Sequence, residues 1–336
     1  MRSLHIGLVN NMPDAALQAT ERQFKALLHA GARDIDIHFS LYALPDVPRS
    51  EAGHRHLSER YLCLEALWQS ELDALIVTGA EPTAQDIVDE PYWESLTRVI
   101  DWADHNTYSS IWSCLATHAA VRCIDGIKRR RLAEKRFGLF EFVRASNHVL
   151  TAGCSASTHV PHSRWNDLAE AELVDHGYCI LRRARDGSVD SFVKKRESLF
   201  VLFQGHPEYE ANTLLREYRR DVGRFLRGER DTYPTMPHGY LSSQEIDALT
   251  NLQLRALEDR REELLHEFPA GMADKTITTR WRPNAVKLYT NWLNYLCEQK
   301  AADLESRQLV EVAYAASGVR KHGSEGFGAD VNCDVV

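Results

Sequence analysis

Three residues that follow two apolar runs could together perform acyl transfer. Cys114 ends the run "SSIWSC", and His206 and Glu208 come directly after "LFVLFQG". A cysteine thiolate can attack a carbonyl carbon, a histidine can accept and return the proton, and a carboxylate can orient the imidazole. If the two runs are neighbouring strands, their carboxyl ends place all three side chains at one edge of a sheet.

The segment after Cys114, "LATHAAV", is small and helix-forming, so the cysteine stands between a strand and a helix. A helix N-terminus favours the thiolate form, and its backbone N–H groups can bind an oxyanion. A strained turn at this point would expose the sulfur at the edge of the sheet. Spacing alone leaves two other interpretations open, a buried inert thiol at Cys114 and a structural turn histidine at His206.

Strand-like and helix-like patterns alternate over the first two thirds of the chain. Apolar runs predict strands over 4–10, 35–44, 72–79, 108–113, 178–184, 188–195 and 198–205. Helical spacing predicts helices at about 15–31, 57–70, 92–105, 115–124 and 211–227. These elements predict an α/β fold with a mainly parallel, doubly wound sheet covered on both faces, and with some late strands antiparallel at an edge.

The composition changes after residue 230. A capping box at Ser242 and Glu245 predicts the start of a helix whose apolar positions are Ile246, Leu249, Leu257 and Leu264. The expected units are a catalytic core over 1–230, a helical excursion over 231–275, a C-terminal site loop and closing helix of the core over 276–300, and a flexible tail over 315–336.

Composition argues against several classes of protein. The net charge of −8 disfavours nucleic-acid binding, and no apolar run approaches the roughly 18 residues that span a bilayer. Seven cysteines without a C-x-x-C pair argue against a disulfide framework and a zinc ribbon. The N-terminal segment predicts a first strand rather than a signal peptide, so we expect a cytoplasmic protein.

Several short segments form an ordered set along residues 4–300. They are "NNMPD", "VTGAEPT" with "YW" beyond it, "SCLATHAAV", "AEKRFG", "PHSRW", "GHPEY", "WRPN" and "NWLNYL". In type and order they resemble the homoserine O-acyltransferase (homoserine transsuccinylase) family. The resemblance implies a class I glutamine amidotransferase-like fold, a flavodoxin-like three-layer arrangement.

The resemblance also implies a ping-pong reaction in methionine biosynthesis. Cys114 would take the acyl group of an acyl-CoA, and the γ-hydroxyl of L-homoserine would then receive it. His206 would be the general base and acid, and Glu208 would orient it. Acyl-CoA would be a co-substrate, with no permanently bound cofactor and no metal. The expected partners are these small molecules, neither nucleic acid nor membrane, and a homodimer stays open.

Four further positions match substrate-binding residues of the family. Lys135 matches a lysine of the acyl-enzyme site, Ser163 a polar site residue, and Arg282 an arginine that forks onto the amino acid's carboxylate. Lys135 could instead be a solvated member of the basic run "IKRRRLAEKR", along which the phosphates of CoA could lie. Thr83 stands at the donor-selecting position, where a small neutral side chain favours succinyl over acetyl.

Departures from the family pattern leave rival functions open. Asp14 and Ala15 replace basic residues, His118 replaces a glutamine, and "WRPN" replaces "WRSH". A glutamine amidotransferase usually flanks its cysteine with glycines, which this chain lacks. An acyltransferase for L-serine differs by one methylene in its acceptor, a difference that the sequence does not resolve. The other rivals are a non-catalytic binding protein and a metal enzyme using His159 with His162 or His54 with His56.

Overall fold

A computed structural model of the chain describes residues 2–80, 82, 84–269 and 279–317, with side chains up to residue 309. Residues 315–317 of the predicted tail end the last helix, and 318–336 lie outside the described residues. None of the described helices is long and apolar enough to cross a membrane.

The described part of the chain folds around a nine-stranded sheet. Its strands are β1 (Arg2–Val9), β2 (Ile35–Tyr42), β3 (Ala74–Thr78), β4 (Ser109–Ser113), β5 (Arg130–Arg144), β6 (Ser157–Asp167), β7 (Cys179–Arg183), β8 (Val189–Lys195) and β9 (Leu199–Phe203). Its helices are α1 (Leu17–Ala32), α2 (Glu51–Arg60), α3 (Leu64–Trp68), α4 (Trp93–Asn106), α5 (Leu115–Asp125), α6 (Glu170–Asp175), α7 (Thr213–Leu226), α8 (Ser243–Glu258) and α9 (Arg282–Ser317).

The sheet has a parallel half and an antiparallel half. The strand order is β2-β1-β3-β4-β9-β8-β7-β5-β6. The pairs from β2 to β9 are parallel, and those from β9 to β6 are antiparallel. The predicted α/β fold with a mainly parallel, doubly wound sheet is therefore confirmed, although the antiparallel part is wider than an edge. All seven predicted strands are present, and β5 and β6 are additional.

Helices cover both faces of the sheet because its strands are apolar on both sides. In β3, Leu75 and Val77 pack with α3, α4, α5 and α6 in one core cluster. Ala74 and Ile76, which point the other way, pack with α1 and α9 in a second cluster. This alternation makes three layers and buries β3 and β9 completely.

Two predicted helices are wrong in their extent. The helix predicted over 57–70 is two helices, α2 and α3, because Leu62 between them pairs as a β-bridge with Tyr42 at the end of β2. The capping box at Ser242 and Glu245 is confirmed. Its helix α8, however, ends at Glu258, and Leu264 lies in a separate 3-10 turn, Glu262–Glu267.

The described part of the 231–275 segment, which ends at residue 269, packs on α7 and on β5. A third cluster joins Phe137 and Leu139 of β5, the apolar face of α7, and residues of α8 and the turn after it. The main chain of Gly138 forms a bridge with His238, in which His238 N–H donates to Phe137 O and Leu139 N–H donates to His238 O. The division into units at 230 and 275 stays a prediction.

Gly138 should be required for this docking. Its φ is +132°, and a Cβ there would lie 2.3 Å from the backbone N and O of His238. We expect Gly138→Ala to lower the free energy of unfolding by roughly 2–4 kcal/mol, since a strained φ alone costs about 1–3 kcal/mol. Gly187→Ala is the matched control, because φ is +83° there but nothing lies within 4 Å of the added Cβ. Equal losses in urea unfolding would show that the bridge does not matter.

Candidate active site

The pairing of β4 with β9 brings the two predicted strand ends together. The strands are parallel neighbours with Ser113 opposite Phe203. Cys114 follows β4 directly, and His206 comes three residues after the end of β9. The carboxyl ends of parallel strands share one edge of a sheet. Residues almost a hundred positions apart in sequence therefore meet.

Cys114 lies in the sharp turn between β4 and α5. Its φ is +53°, which is unusual for a residue with a side chain, and the residue is partly exposed. The Cys114 N–H donates to Phe203 O at 2.7 Å, and its C=O accepts from Thr117 N–H at 3.0 Å. Thr117 Oγ1 in turn donates to Trp112 O and accepts from Phe203 N–H. These bonds fix the strained turn to both strands.

Gly79, just beyond β3, allows the start of α5 to come close. A Cβ on Gly79 would lie 2.3 Å from Leu115 Cβ and 3.0 Å from Ala116 N. The Gly-Ala pair that follows β3 therefore packs against the first turn of α5, where the leading N–H groups have no acceptor inside the helix. The strand ends of β3, β4 and β9 all meet at this point.

His206 and Glu208 form a buried pair. His206 Nδ1 lies 2.8 Å from Glu208 Oε1, and their side chains are 7% and 5% exposed. Ser113 Oγ also donates to this carboxylate oxygen, at 3.4 Å. Gly205 lets the chain turn here, because a Cβ on it would lie 2.5 Å from Asp190 Oδ1. The His206 N–H is held by Pro161 O at 2.8 Å.

The imidazole of His206 also interacts electrostatically with Cys114. Because Nδ1 faces Glu208, Nε2 is the ring nitrogen left for the sulfur. Burial by itself lowers the pKa of His206, but the charges of Glu208 and Cys114 and the hydrogen bonds to both raise this pKa well above 6.5. The three residues thus lie in a line from sulfur to imidazole to carboxylate, an arrangement that suits nucleophilic catalysis.

Ser163 lies behind His206 rather than against the sulfur. The ring of Tyr209 stacks on the imidazole, with 4.2 Å between centroids and 15° between planes. The Tyr209 hydroxyl donates to Glu217, and Ser163 Oγ donates to the other oxygen of the same carboxylate. Burial and the charge of Glu217 raise the pKa of Tyr209 well above its usual value. Tyr209 belongs to the same "GHPEY" segment as His206 and Glu208, but only the histidine and the glutamate were predicted as site residues.

Lys135 is an ion-paired residue of β5. Its Nζ lies 3.3 Å from Asp221 Oδ2 on α7, and its side chain is 15% exposed. Burial raises the pKa of Asp221, but Lys135 and Arg220 lower it below its usual value in sum. Lys135 is therefore not a solvated member of the basic run, and Asp221 sits one turn along α7 from Glu217.

Arg282 begins α9 at the rim of the site. Its guanidinium makes no hydrogen bond or ion pair with the described residues. Burial lowers the pKa of Arg282 below its usual value, although the charge of Glu210 acts in the opposite direction. Burial raises the pKa of Tyr289, as does the charge of Glu208, and Arg282 opposes this. The charges of Arg282 and Glu208 therefore both reach Tyr289. Thr83, the expected donor-selecting residue, lies outside the described residues.

Two buried polar residues near the nucleophile were not identified as site residues from the sequence. His118 Nε2 lies 3.0 Å from Gln204 Oε1, and burial lowers the pKa of His118 to about 3, so it stays neutral. Arg164 is buried beside His162, Asp167 and Gln204. Its position in "PHSRW" is visible in the sequence, but no local pattern predicts that an arginine turns inward.

The histidine pairs considered for a metal do not form a ligand set. His162 Nε2 faces Asp190 Oδ1 at 3.3 Å inside the protein, and His56 Nε2 lies 2.7 Å from Glu21 Oε1. Within the described residues, no three His, Cys, Asp or Glu side chains come together as a metal ion requires.

Two solved structures of glutamine amidotransferases align with much of the chain. The one from Thermotoga maritima is 13% identical, with a TM-score of 0.48 over 88% of this chain and 98% of its own. The one from Methylobacillus flagellatus is 15% identical, with a TM-score of 0.48 over 88% of this chain and 95% of its own.

Proteins of similar sequence match most of the length of this chain. The homoserine O-succinyltransferase of Methylorubrum extorquens is 44% identical over 300 residues, covering 89% of both chains. Those of Rhodopseudomonas palustris and Bradyrhizobium japonicum are 44% and 42% identical, each covering 90% of the relative. The family model for homoserine O-succinyltransferase matches residues 1–303. The chain belongs to the homoserine O-succinyltransferase family of acyltransferases.

Proposed function

We propose that this protein transfers a succinyl group from succinyl-CoA to L-homoserine through an acyl-enzyme on Cys114. The observation that carries this proposal is the meeting of Cys114 at the end of β4 with the hydrogen-bonded pair His206–Glu208 after the neighbouring strand β9. Family membership and the names of the relatives support homoserine as acceptor and succinyl as acyl group. L-serine as acceptor and acetyl as acyl group are the alternatives that the experiments below distinguish.

The first half-reaction forms a thioester on the protein. The Cys114 thiolate, beside the His206 imidazolium, attacks the thioester carbonyl carbon of the donor, and a tetrahedral oxyanion forms. This intermediate collapses with cleavage of the bond to the sulfur of CoA, and the imidazolium can protonate the departing thiolate. Exchange between two thioesters is nearly balanced in energy, so positioning and oxyanion stabilisation supply most of the catalysis.

The second half-reaction releases the acyl group to the acceptor. Neutral His206 takes the proton of the γ-hydroxyl as its oxygen attacks the acyl carbon on Cys114. The second tetrahedral intermediate then expels the Cys114 thiolate, which is stabilised by the newly formed imidazolium. Glu208 holds Nδ1–H throughout, so Nε2 keeps facing the reacting atoms.

The oxyanion has to be stabilised by donors other than Cys114 itself. The Cys114 N–H is already bonded to Phe203 O. The Leu115 N–H, at the first position of α5, points out of the helix and benefits from its positive end. The close approach of Gly79 brings the segment after β3 to the same place. We assign the oxyanion site to this junction.

Arg282 is the proposed clamp for the carboxylate of the amino acid acceptor. It is half-buried at the start of α9, while the neighbouring Glu210 is held by Arg22 at 2.8 Å and Arg216 at 2.7 Å. Glu210 is therefore satisfied without Arg282, which leaves the guanidinium fork for a ligand. Lys135 and Ser163 have roles as positioning residues in this proposal, since both are bonded to carboxylates of α7.

The acyl-enzyme should accumulate when no acceptor is present. Incubation with succinyl-CoA should add the mass of one succinyl group to the intact protein, and homoserine should remove it. Cys114→Ala should show no adduct, while Cys123→Ala is the control because Cys123 is an exposed thiol away from the turn. A greater yield from acetyl-CoA would reverse the choice of donor. An adduct that survives in Cys114→Ala would contradict the mechanism.

Cys114 should be alkylated selectively in mildly acidic solution. The raised pKa of His206 keeps a charged imidazolium beside Cys114 at pH 6, whereas burial followed by the charge of Asp101 raises the pKa of Cys123 and keeps it a thiol. Iodoacetamide should label Cys114 at least about tenfold faster than Cys123. In His206→Asn this preference should disappear, and in Glu208→Gln it should shrink. Peptide mapping measures it, and an unchanged preference in His206→Asn argues against the ion pair.

Replacement of Arg282 should affect the acceptor rather than the donor. Arg282→Lys keeps the charge but loses the fork, so KM for homoserine should rise about tenfold, corresponding to roughly 1.5 kcal/mol for a charged hydrogen bond. Steady-state kinetics with each substrate varied in turn measures the effect. A rise confined to KM for succinyl-CoA would place Arg282 on the donor side instead.

A further inference from the structure

A cleft of about 760 Å³ lies at the same edge of the sheet as the catalytic residues. Asn11 and Pro13, which follow β1, and Ala80 and Pro82, which follow β3, form part of its wall. The chain passes from β1 to β2 on one side of β1 and then to β3 on the other, so the strand order reverses between β1 and β3. Open α/β sheets bind ligands at such a reversal.

The cleft reaches the nucleophile turn without including it. Ala80 lines the cleft, and its neighbour Gly79 packs on Leu115, the residue after Cys114. A second connection runs along one face of α7. Glu217 contacts Tyr209 under the imidazole, Asp221 binds Lys135, and Arg224 lines the cleft. The axial distance from Glu217 to Arg224 is about 10 Å at the α-helical rise.

The cleft presents positive charge. Arg131, Arg224 and Arg230 line it, together with two carboxylates, Glu90 and Glu229. Glu229 pairs with Arg227, and Glu90 accepts from Ala84 N–H. The three guanidinium groups outnumber the two carboxylates, both of which are engaged, while Arg230 itself donates to Thr232 O and Oγ1. Guanidinium groups bind phosphate oxygens through paired hydrogen bonds.

The cleft also offers aromatic surface. The guanidinium of Arg131 lies over the ring of Trp165 at 4.4 Å, and Trp165 is 38% exposed. Exposed tryptophan and arginine planes provide stacking surfaces for a nucleobase. Tyr92 lines the same cleft and is 3% exposed, and its hydroxyl has no hydrogen-bond partner among the described residues. A buried hydroxyl without a partner is costly unless a ligand or water satisfies it.

We propose that this cleft binds the phosphorylated nucleotide end of the CoA donor, while the thioester reaches Cys114 past Ala80. The inference rests on the proposed function, since it places one end of the proposed donor. Arginines that can bind phosphates, an aromatic surface for the base and a wall residue next to the turn at Cys114 are all present in one cleft. The basic run that contains Arg131 thus contributes to donor binding through a single residue.

The test compares a full donor with one that lacks the nucleotide. Succinyl-CoA and succinyl-N-acetylcysteamine are given to the wild-type protein and to the double variant Arg131→Ala/Arg230→Ala. We expect kcat/KM for succinyl-CoA, divided by that for the truncated donor, to fall about tenfold to a hundredfold in the variant, as for the loss of charged hydrogen bonds. Adenosine 3′,5′-bisphosphate should compete with succinyl-CoA in the wild type and much less in the variant.

Two further variants keep the result interpretable. Arg183→Ala/Arg307→Ala removes two exposed, ion-paired arginines that do not line the cleft, and it should leave the ratio unchanged. Arg131→Lys/Arg230→Lys retains the charge without the guanidinium fork and should give an intermediate ratio. This variant keeps the proposal testable if the alanine variant does not fold. An unchanged ratio in both cleft variants would overturn the cleft assignment. Failure of both donors to acylate the wild type would instead overturn the proposed function and the cleft with it.

Discussion

The parallel pairing of β4 with β9 is the contact on which the candidate site depends. With Ser113 opposite Phe203, the sulfur of Cys114 and the ring of His206 face each other, and the Cys114 N–H reaches Phe203 O. A shift of one residue would turn alternate side chains to the opposite face and separate the pair. The register is fixed because residues of β9 are buried in both cores that flank the sheet. The geometry of the candidate site is thus a consequence of core packing.

The site stores conformational strain that its surroundings hold in place. A residue with a side chain at φ of +53° costs on the order of 1–3 kcal/mol. The hydrogen bonds of Thr117 Oγ1 to Trp112 O in β4 and Phe203 O in β9 offset this cost. Gly79 contributes because its missing side chain lets the start of α5 pack closely. The buried carboxylate of Glu208 is tolerated because it accepts from His206 and Ser113. Chemistry and stability therefore depend on the same short loops.

The sequence was informative where patterns are local and strong. The strands of the parallel half were predictable, because burial on both faces of the sheet requires a continuous apolar run. The turn at Cys114 was predictable, because a helix-forming segment follows the strand directly. β5 was missed because its first residues, "RRLAEKR", carry charge that pairs with α7 and other neighbours only in the folded chain. The break at Leu62 depends on a bridge to Tyr42, and the inward turn of Arg164 depends on Asp167 and Gln204. No short sequence window contains partners as distant as Tyr42 is from Leu62 or Gln204 is from Arg164.

The central claim is that the sulfur of Cys114 carries the acyl group between two separate half-reactions. The most direct measurement is exchange of isotopically labelled CoA into unlabelled succinyl-CoA with no amino acid present. The account predicts exchange by the wild-type protein that is lost in Cys114→Ala and strongly slowed in Glu208→Gln. Transfer to homoserine that proceeds at a normal rate without any such exchange would contradict it, because the acyl group would then pass directly from donor to acceptor.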